Sequence, residues 1–329
     1  MMRSTLPFPG PGPARMDAGR PLSRRWVLRG GAGAAAAALA LVAGCEIRLG
    51  SGAPDSLPTP SPAEATRDAL ARRASLIAST ADVVAGSGAS GADTAQRLAD
   101  AARTQLDALG GVWQPWASAA PSGYPTASPV PTAPSTATAG ELVTMLTEGA
   151  TQASTAASQA SETAAAHLYA SLAVAWLLGA ISLDSGAVET PGRSASASAP
   201  VPGPVLQAYD GARYALQEVA ARSADDQRTH ATADAAYAGG VVSASLMLGG
   251  QDTRLSAYAP PTQAADDASL DVTWARQAWR TVMEAEVAGV EAEGGEATAG
   301  AINAAANAAR RAQAWGTTVE ESLPGYASS

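Results

Sequence analysis

The chain has 329 residues, of which 47% are hydrophobic and only 5% aromatic, and it carries a formal net charge of −9. An acidic balance of this size argues against a nucleic-acid partner and against electrostatic binding to anionic lipid. Because the chain has a single cysteine, a disulfide framework, a thiolate zinc site and an iron–sulfur cluster are also excluded.

The first 44 residues have the composition of an export signal. Residues 20–29 are rich in arginine, and residues 30–43 form an apolar run that falls short of the ~20 residues a membrane-spanning helix requires. The paired Arg24 and Arg25, followed by a short apolar stretch, resemble the twin-arginine export signal. The sequence therefore predicts export of the remaining chain.

The four residues that end at Cys45 resemble a lipobox, the motif at which bacterial lipoproteins are lipidated and cleaved. The resemblance implies that Cys45 becomes the mature N-terminus and carries a diacylglyceryl group, whose two acyl chains suffice for stable anchoring. The alternative is an ordinary cleaved signal that happens to contain a cysteine. Removal of residues 1–44 leaves 15 arginines against 29 acidic residues, a net charge of −14.

Beyond the cysteine, two helices are predicted between proline-rich segments. Residues 45–62 are rich in Pro, Ser and Gly, which is typical of a disordered tether. Apolar residues then recur every three or four positions through 63–86 and again from residue 92 to 109, the spacing of amphipathic helices. Residues 115–138 contain six prolines, so we expect a disordered loop there.

The rest of the chain also reads as helix. Residues 139–183 are helical by propensity, with a possible break within 149–166, and complete an N-terminal helical region that spans 63–183. The apolar stretch 168–183 is too short to cross a bilayer, so a buried helix is preferred. A second Pro/Ser-rich linker covers 184–204. Four further helices are predicted at 205–222, 224–248, 270–293 and 296–316.

No alternating strand pattern of useful length occurs, and the sequence therefore predicts an all-α fold.

The two halves of the chain also show a weak internal sequence similarity. The triplets Leu-Gly-Gly at 109–111 and 248–250 are separated by 139 residues, as are Trp176 and Trp315. Such an internal similarity is consistent with duplication, or with chance matches between alanine-rich segments.

The C-terminal half carries a family resemblance. The run 206–215, LQAYDGARYA, resembles the opening helix of a ferritin-like domain that recurs in secreted and lipid-anchored proteins of high-GC bacteria. The resemblance continues through His230, Tyr258-Ala259-Pro260, the run 310–316 (RRAQAWG) and Leu323-Pro324-Gly325. It implies a ferritin-like four-helix bundle over residues 205–325.

The usual di-iron ligands of that fold are missing from the sequence. A di-iron site needs Glu-x-x-His on two helices, yet Gln227 stands three residues before His230, and Glu162 stands five before His167. We therefore predict no metal and no cofactor. His230 with Asp226 and Asp234 at i±4 remains a weak metal or acid–base candidate, against the simpler interpretation of a solvated helix face.

One further polar group is noted on the first helix of the C-terminal half. The residues that fall on adjoining positions of that helix and could form a polar seam inside the bundle are Tyr209, Arg213, Tyr214 and Glu218. Core filling with one ion pair accounts for them equally well. His167, beside Leu168 and Tyr169, is expected to be a buried residue with its hydrogen bonds satisfied.

These features together suggest a lipoprotein anchored through Cys45 on the outer face of the cytoplasmic membrane. Its expected role is a non-enzymatic scaffold or binding module for an envelope protein or ligand, since no catalytic constellation is visible. Two alternatives stay open. One is a ferritin-like metal-binding or oxidase protein, and the other is the solute-binding lipoprotein of a transporter, which would require a two-lobed α/β fold.

Overall fold

The computed structural model describes residues 57–326, apart from residues 89, 116–125, 194–197, 267 and 318–320. The export signal with Arg24 and Arg25, the lipidation residue Cys45 and most of the tether lie outside the described residues. Within them the chain forms eight α-helices and no strand. The prediction of an all-α fold is thus confirmed.

The first four helices are α1 (Pro62–Gly86), α2 (Ala92–Ala108), α3 (Ala139–Gln159) and α4 (Thr163–Leu183). Their starts follow from local chemistry. The Ser61 hydroxyl caps α1 by accepting a bond from the amide of Glu64 at 3.2 Å, and Thr138 with Glu141 forms a reciprocal capping box on α3. The break between α3 and α4 falls within the 149–166 interval expected from the sequence.

The second four helices are α5 (Gly203–Arg222), α6 (Asp225–Met247), α7 (Leu270–Ala288) and α8 (Glu296–Ala314). Their bounds agree with the sequence prediction to within two residues, with the exception of the end of α7. That helix stops five residues before its predicted end, with Gly289 as its C-cap.

The helices of both groups follow the same pattern of parallel and antiparallel packing in chain order. The first helix pairs with an antiparallel second, the third pairs with an antiparallel fourth, and the first also packs against the third. Arg73 near the middle of α1 contacts Glu148 near the middle of α3, while Thr80, further along α1, contacts Met145, which comes earlier in α3. Since α2 and α3 both run against α1, they run parallel to each other. The connection between them must therefore cross the length of the bundle.

Both crossover connections run beside the first helix of their group. In the first, the Arg72 guanidinium donates to the carbonyls of Ser128 and Pro129 at 3.3 and 3.1 Å. In the second, Thr253 donates to the carbonyl of Gly203 at 2.7 Å, and the Tyr258 hydroxyl donates to Asp210 on α5 at 2.9 Å. The described residues of the first crossover thus pack on α1, although this segment was expected to be disordered.

The two groups of helices pack together within one compact unit, Asp55–Ser329. Helices α3 and α4 contact α7 and α8. His167, which was expected to be buried, is half-buried, and its Nε2 lies 2.9 Å from the carbonyl oxygen of Val290. The amide of Glu293 also donates to the carbonyl of Ala160 at 2.9 Å, which ties the α7–α8 connection to the α3–α4 turn.

These contacts place the helix termini at two opposite ends of the domain. The starts of α1, α4, α5 and α8 lie together with the ends of α2, α3, α6 and α7. We call this the entry end, because α1 enters the domain there at Pro62. Val205 near the start of α5 approaches Gly289 at the end of α7, and Ser245 near the end of α6 accepts a bond from the amide of Val201 at 3.1 Å. Leu270, the first residue of α7, lies at the opposite end.

Helix α4 is the most apolar of the described helices. It is long and apolar enough to cross a membrane, but 67% of its most apolar stretch is buried against the other helices. Trp176 anchors it, because the indole is 1% exposed and donates to the side-chain oxygen of Gln105 on α2 at 2.8 Å. This burial agrees with the expectation of a core helix.

Close approach of α3 to α4 depends on Gly149. A Cβ atom at this position would lie 2.9 Å from Cε3 of Trp176, which is closer than van der Waals contact allows. We expect Gly149→Ala to lower the free energy of unfolding by ~1–3 kcal/mol through overpacking. Gly240 on α6 is the matched control, because it is exposed and a Cβ atom added there would meet no other atom within 4 Å. Gly240→Ala should instead stabilise by ~0.5–1 kcal/mol, and urea unfolding of both variants measures the difference. Equal effects of the two substitutions would contradict this packing.

Candidate functional site in the C-terminal helices

A buried carboxylate connects three helices of the second group. Asp234 lies on α6, and its side chain is 3% exposed. Its oxygens accept hydrogen bonds from the indole N–H of Trp279 on α7 at 2.8 Å and of Trp315 at the end of α8 at 3.0 Å. The guanidinium of Arg311 on α8 donates to the other oxygen. Asp234 is therefore both hydrogen-bonded and paired with a positive charge, as burial of a carboxylate requires.

Aromatic rings enclose this ion pair. The Arg311 guanidinium lies 3.9 Å from the centroid of the Tyr237 ring, within the range of a cation–π contact. His230 stacks on Trp315, with ring centroids 4.5 Å apart and planes 7° from parallel. Its Nε2 is 3.5 Å from Asp234 Oδ2, so the imidazole closes the outer side of the cluster.

A second buried carboxylate, Glu286 on α7, is 0% exposed. The Arg193 guanidinium binds it with two bonds, Nε to Oε1 at 2.9 Å and Nη2 to Oε2 at 2.5 Å. This fork-to-fork geometry is the strongest form of a guanidinium–carboxylate pair. Arg193 comes from the segment 184–204, so this linker supplies a side chain to the interior of the bundle.

The linker approaches the helices closely in the residues that precede Arg193. The side-chain amide of Asn307 on α8 donates to the Thr190 carbonyl at 3.0 Å. A Cβ atom at Gly192 would lie 2.0 Å from the hydroxyl oxygen of Tyr237, which means that only glycine fits there. Residues 190–193 form a strap that holds Arg193 against Glu286, and we refer to them as the strap.

Two tyrosines line the space between the carboxylates. Burial raises the pKa of Tyr209 well above its usual value, and the nearby Glu286 carboxylate raises it further. Burial also raises the pKa of Tyr237. The Tyr237 hydroxyl has no hydrogen-bond partner among the described residues, and the two rings meet edge to face with centroids 6.4 Å apart.

These tyrosines predict loss of stability in alkaline solution. The unfolded chain releases its tyrosine protons near pH ~10, whereas the folded chain retains those of Tyr209 and Tyr237 to higher pH. Their contribution to stability is thus fully present below the unfolded pKa and is lost as the pH rises through the raised folded pKa. Tyr209→Phe should flatten this alkaline fall, as measured by thermal unfolding between pH ~8 and ~11. An unchanged profile in the variant would contradict the assignment.

The structure shows two of the three metal candidates in contact and the third exposed on the same helix. His230 and Asp234 are in contact, whereas Asp226 is exposed on α6. The interpretation of this face as solvated is wrong for Asp234, because α8 lies across it. Among the described residues no group of three or more His, Cys, Asp or Glu side chains could hold a metal ion.

The four residues of the expected polar seam, Tyr209, Arg213, Tyr214 and Glu218, lie in different surroundings. Tyr209 is 1% exposed in the core. Arg213 pairs with the buried Asp210 at 2.7 Å, and Tyr214 packs beside Trp274. The side chain of Glu218 is 45% exposed, so the group does not form one continuous seam.

Sequence reasoning did not single out the Arg193–Glu286 pair. A signal was present, because Glu286 occupies a position on the apolar stripe of α7, where a carboxylate must find a partner to be buried. Its partner was hidden in a segment whose Pro/Ser-rich composition suggested only a linker.

A separate cleft lies in the N-terminal half. It has a volume of about 540 Å³ and is bounded by α2, α4 and residues that follow α8. Its lining includes the apolar side chains of Leu98, Leu146 and Trp176 and the exposed Asp100 and Glu321. A cleft of this size and lining can accommodate a small organic molecule. It is distinct from the two buried ion pairs.

Known proteins provide no relative on which to base a function. No protein-family model, no curated protein and no solved structure matches the chain. The geometry of the two arginine–carboxylate pairs and of the cleft is therefore the basis for the proposal that follows.

Proposed function

We propose that this chain is a lipoprotein of the cell envelope that acts as a non-enzymatic scaffold or binding module. It is anchored through Cys45 on the outer face of the cytoplasmic membrane. The observation that carries the non-enzymatic role is the state of the interior acids: Asp234 and Glu286 are each occupied by a guanidinium. The location rests on the twin-arginine and lipobox resemblances of the leader.

The helix arrangement supports a ferritin-like assignment for the C-terminal half. Ferritin-like bundles have a single long crossover connection among their four helices. Helices α5–α8 have one, between α6 and α7, and α1–α4 have one in the corresponding place. The same order in both halves, with Leu-Gly-Gly after α2 and α6, also supports duplication of one four-helix unit.

Arginine neutralisation distinguishes this interior from that of a di-iron protein. In a site for two metal ions, the carboxylates must direct their oxygens toward the bound metal ions. Here the oxygens of Asp234 face Arg311 and two indoles, and those of Glu286 face Arg193. Two fixed guanidinium charges oppose the entry of a further cation. The arrangement stabilises a core and offers no reactive group.

Binding would take place at the cleft between α2 and α4. The solute-binding lipoproteins of transporters were an alternative, but they require a two-lobed α/β fold, and the described residues form only helices. The ligand class we favour is a small, largely apolar molecule, given the apolar side chains that line the cleft.

The anchor is tested by Cys45→Ala in the full chain. We expect the variant to leave the membrane fraction or to remain unprocessed, since the lipid attachment atom is lost. Fractionation together with mass spectrometry of the N-terminal peptide measures both outcomes. Normal processing with unchanged membrane retention would show the anchor assignment to be wrong.

The metal question is tested by elemental analysis of the purified mature protein. We expect substoichiometric iron and manganese, because both interior carboxylates are already paired. A stoichiometric amount of either metal would favour the alternative, a ferritin-like metal-binding or oxidase protein.

A further inference from the structure

At the entry end of the domain, the end of α6 and the loop that follows it expose large apolar side chains. Five large hydrophobic residues are exposed in the described part of the chain, and three of them fall within nine residues, Met247 at 83%, Leu248 at 41% and Leu255 at 51%. Isolated exposed apolar residues are ordinary, but a cluster marks an interaction surface. We call these three residues the apolar corner.

The apolar corner is displayed on a structured turn. The amides of Gly249 and Gly250 donate to the carbonyls of Leu246 and Ser245 at 3.0 and 2.9 Å, which closes the end of α6. Thr253 then fixes the following residues to the start of α5 through its bond to Gly203. The side chains are thus presented on a backbone that is held from two sides, and little ordering would be lost on contact.

The position of the corner relative to α1 suggests what it contacts. Both lie at the entry end, and Cys45 is joined to Pro62 by residues 46–61. Sixteen residues span at most ~55 Å when fully extended. Because this chain enters at the same end as the corner, the lipid on Cys45 holds the corner close to a bilayer at high effective concentration.

Charge determines the kind of lipid surface. In the loop between Leu248 and Leu255, Asp252 and Arg254 pair with each other at 2.7 Å, so this loop adds no net charge beside the corner. The same end carries Glu291, Glu293 and Glu296, so anionic headgroups would repel it. Contact must therefore come from insertion of the apolar side chains, which an uncharged interface permits.

We propose that Met247, Leu248 and Leu255 insert into the headgroup region of the bilayer that holds the lipidated Cys45, so that the entry end faces the membrane. This orientation rests on the proposed lipid anchor. It leaves the opposite end, with Leu270, directed away from the membrane.

The experiment compares Met247→Cys with Leu270→Cys in the full, processed chain. Leu270 is the matched control, since it is 49% exposed and lies at the opposite end. Each new thiol is labelled with an environment-sensitive fluorophore, and the protein is reconstituted into phosphatidylcholine vesicles with and without headgroup spin-labelled lipid. We expect several-fold stronger quenching of the label at 247 than of the label at 270, and weaker quenching at 247 when anionic lipid is added.

The unsubstituted chain separates failure of the anchor from failure of the orientation. Lipidation consumes the thiol of Cys45, so this chain should take up no label and should stay with the vesicles. Uptake of label by a soluble unsubstituted chain would overturn the anchor. The orientation alone would be overturned by a different result. In that case the unsubstituted chain takes up no label and stays with the vesicles, but the labels at 247 and 270 are quenched equally or the label at 270 is quenched more strongly. Protection of residue 247 from labelling in native membranes, without quenching by lipid, would also overturn it and would indicate a protein partner.

Discussion

Arg311→Ala is expected to lower the free energy of unfolding by about 3–5 kcal/mol. The substitution leaves Asp234 inside the bundle with two indole donors and the more distant His230 but without its guanidinium partner, and breaking a buried ion pair is strongly destabilising. It also removes the cation that lies over the ring of Tyr237. Urea unfolding followed by circular dichroism at neutral pH measures the loss.

Arg103→Ala is the control for this result. Arg103 also pairs with an aspartate, Asp82, at 2.6 Å, but the two side chains are 47% and 43% exposed. Exposed pairs contribute only about 0–1 kcal/mol. If both arginine substitutions cost the same small amount, the Asp234 cluster is not the buried ion pair that the structure shows. A loss at Arg311 several times that at Arg103 would support it.

Arg193→Ala is expected to have a comparable effect through Glu286. This carboxylate is 0% exposed and receives both of its guanidinium bonds from Arg193. Loss of the Arg193 guanidinium therefore leaves a fully buried negative charge. We expect this to lower the free energy of unfolding by about 3–5 kcal/mol at neutral pH. Urea unfolding at neutral pH measures the loss, as for Arg311→Ala.

Two further variants separate the charge effect from packing. Arg222→Ala removes an arginine that is 45% exposed and pairs with Glu218 and Asp271 at 2.9 Å, so it should cost little. Replacing both members of the buried pair with leucine should cost less than Arg193→Ala alone, since no charge is then left unpaired. A double variant as unstable as the single one would show that the strap acts through packing and not through charge.

The same two pairs also bear on how the C-terminal helices pack. Each pair joins elements that are distant in sequence, α6 with α8 in one case and the strap with α7 in the other. Polar groups buried in this way restrict the ways in which helices with alanine-rich, small-residue faces can pack. A core built largely from alanine has few large side chains to set its register, and our hypothesis is that the ion pairs supply that constraint.

Several features of this protein were determined by the sequence itself. The all-α class, the break between α3 and α4, and the bounds of most helices followed from apolar spacing, capping residues and glycine or proline positions. The physical reason is that a helix is held by bonds between residues four apart, so its signals are local. Glu286 on an apolar stripe was a local signal of the same kind, although its partner was not identified.

Tertiary structure alone decided which faces are covered and which groups meet. Asp234 shares a helical face with the exposed Asp226, yet it is buried because α8 and Trp315 lie across its part of that face. Arg193 lies in a segment whose composition indicates a linker, yet it reaches Glu286 because the chain must return along the bundle from the end of α4 to the start of α5. Burial and ion pairing depend on contacts between residues far apart in the chain, and those contacts exist only once the helices have packed.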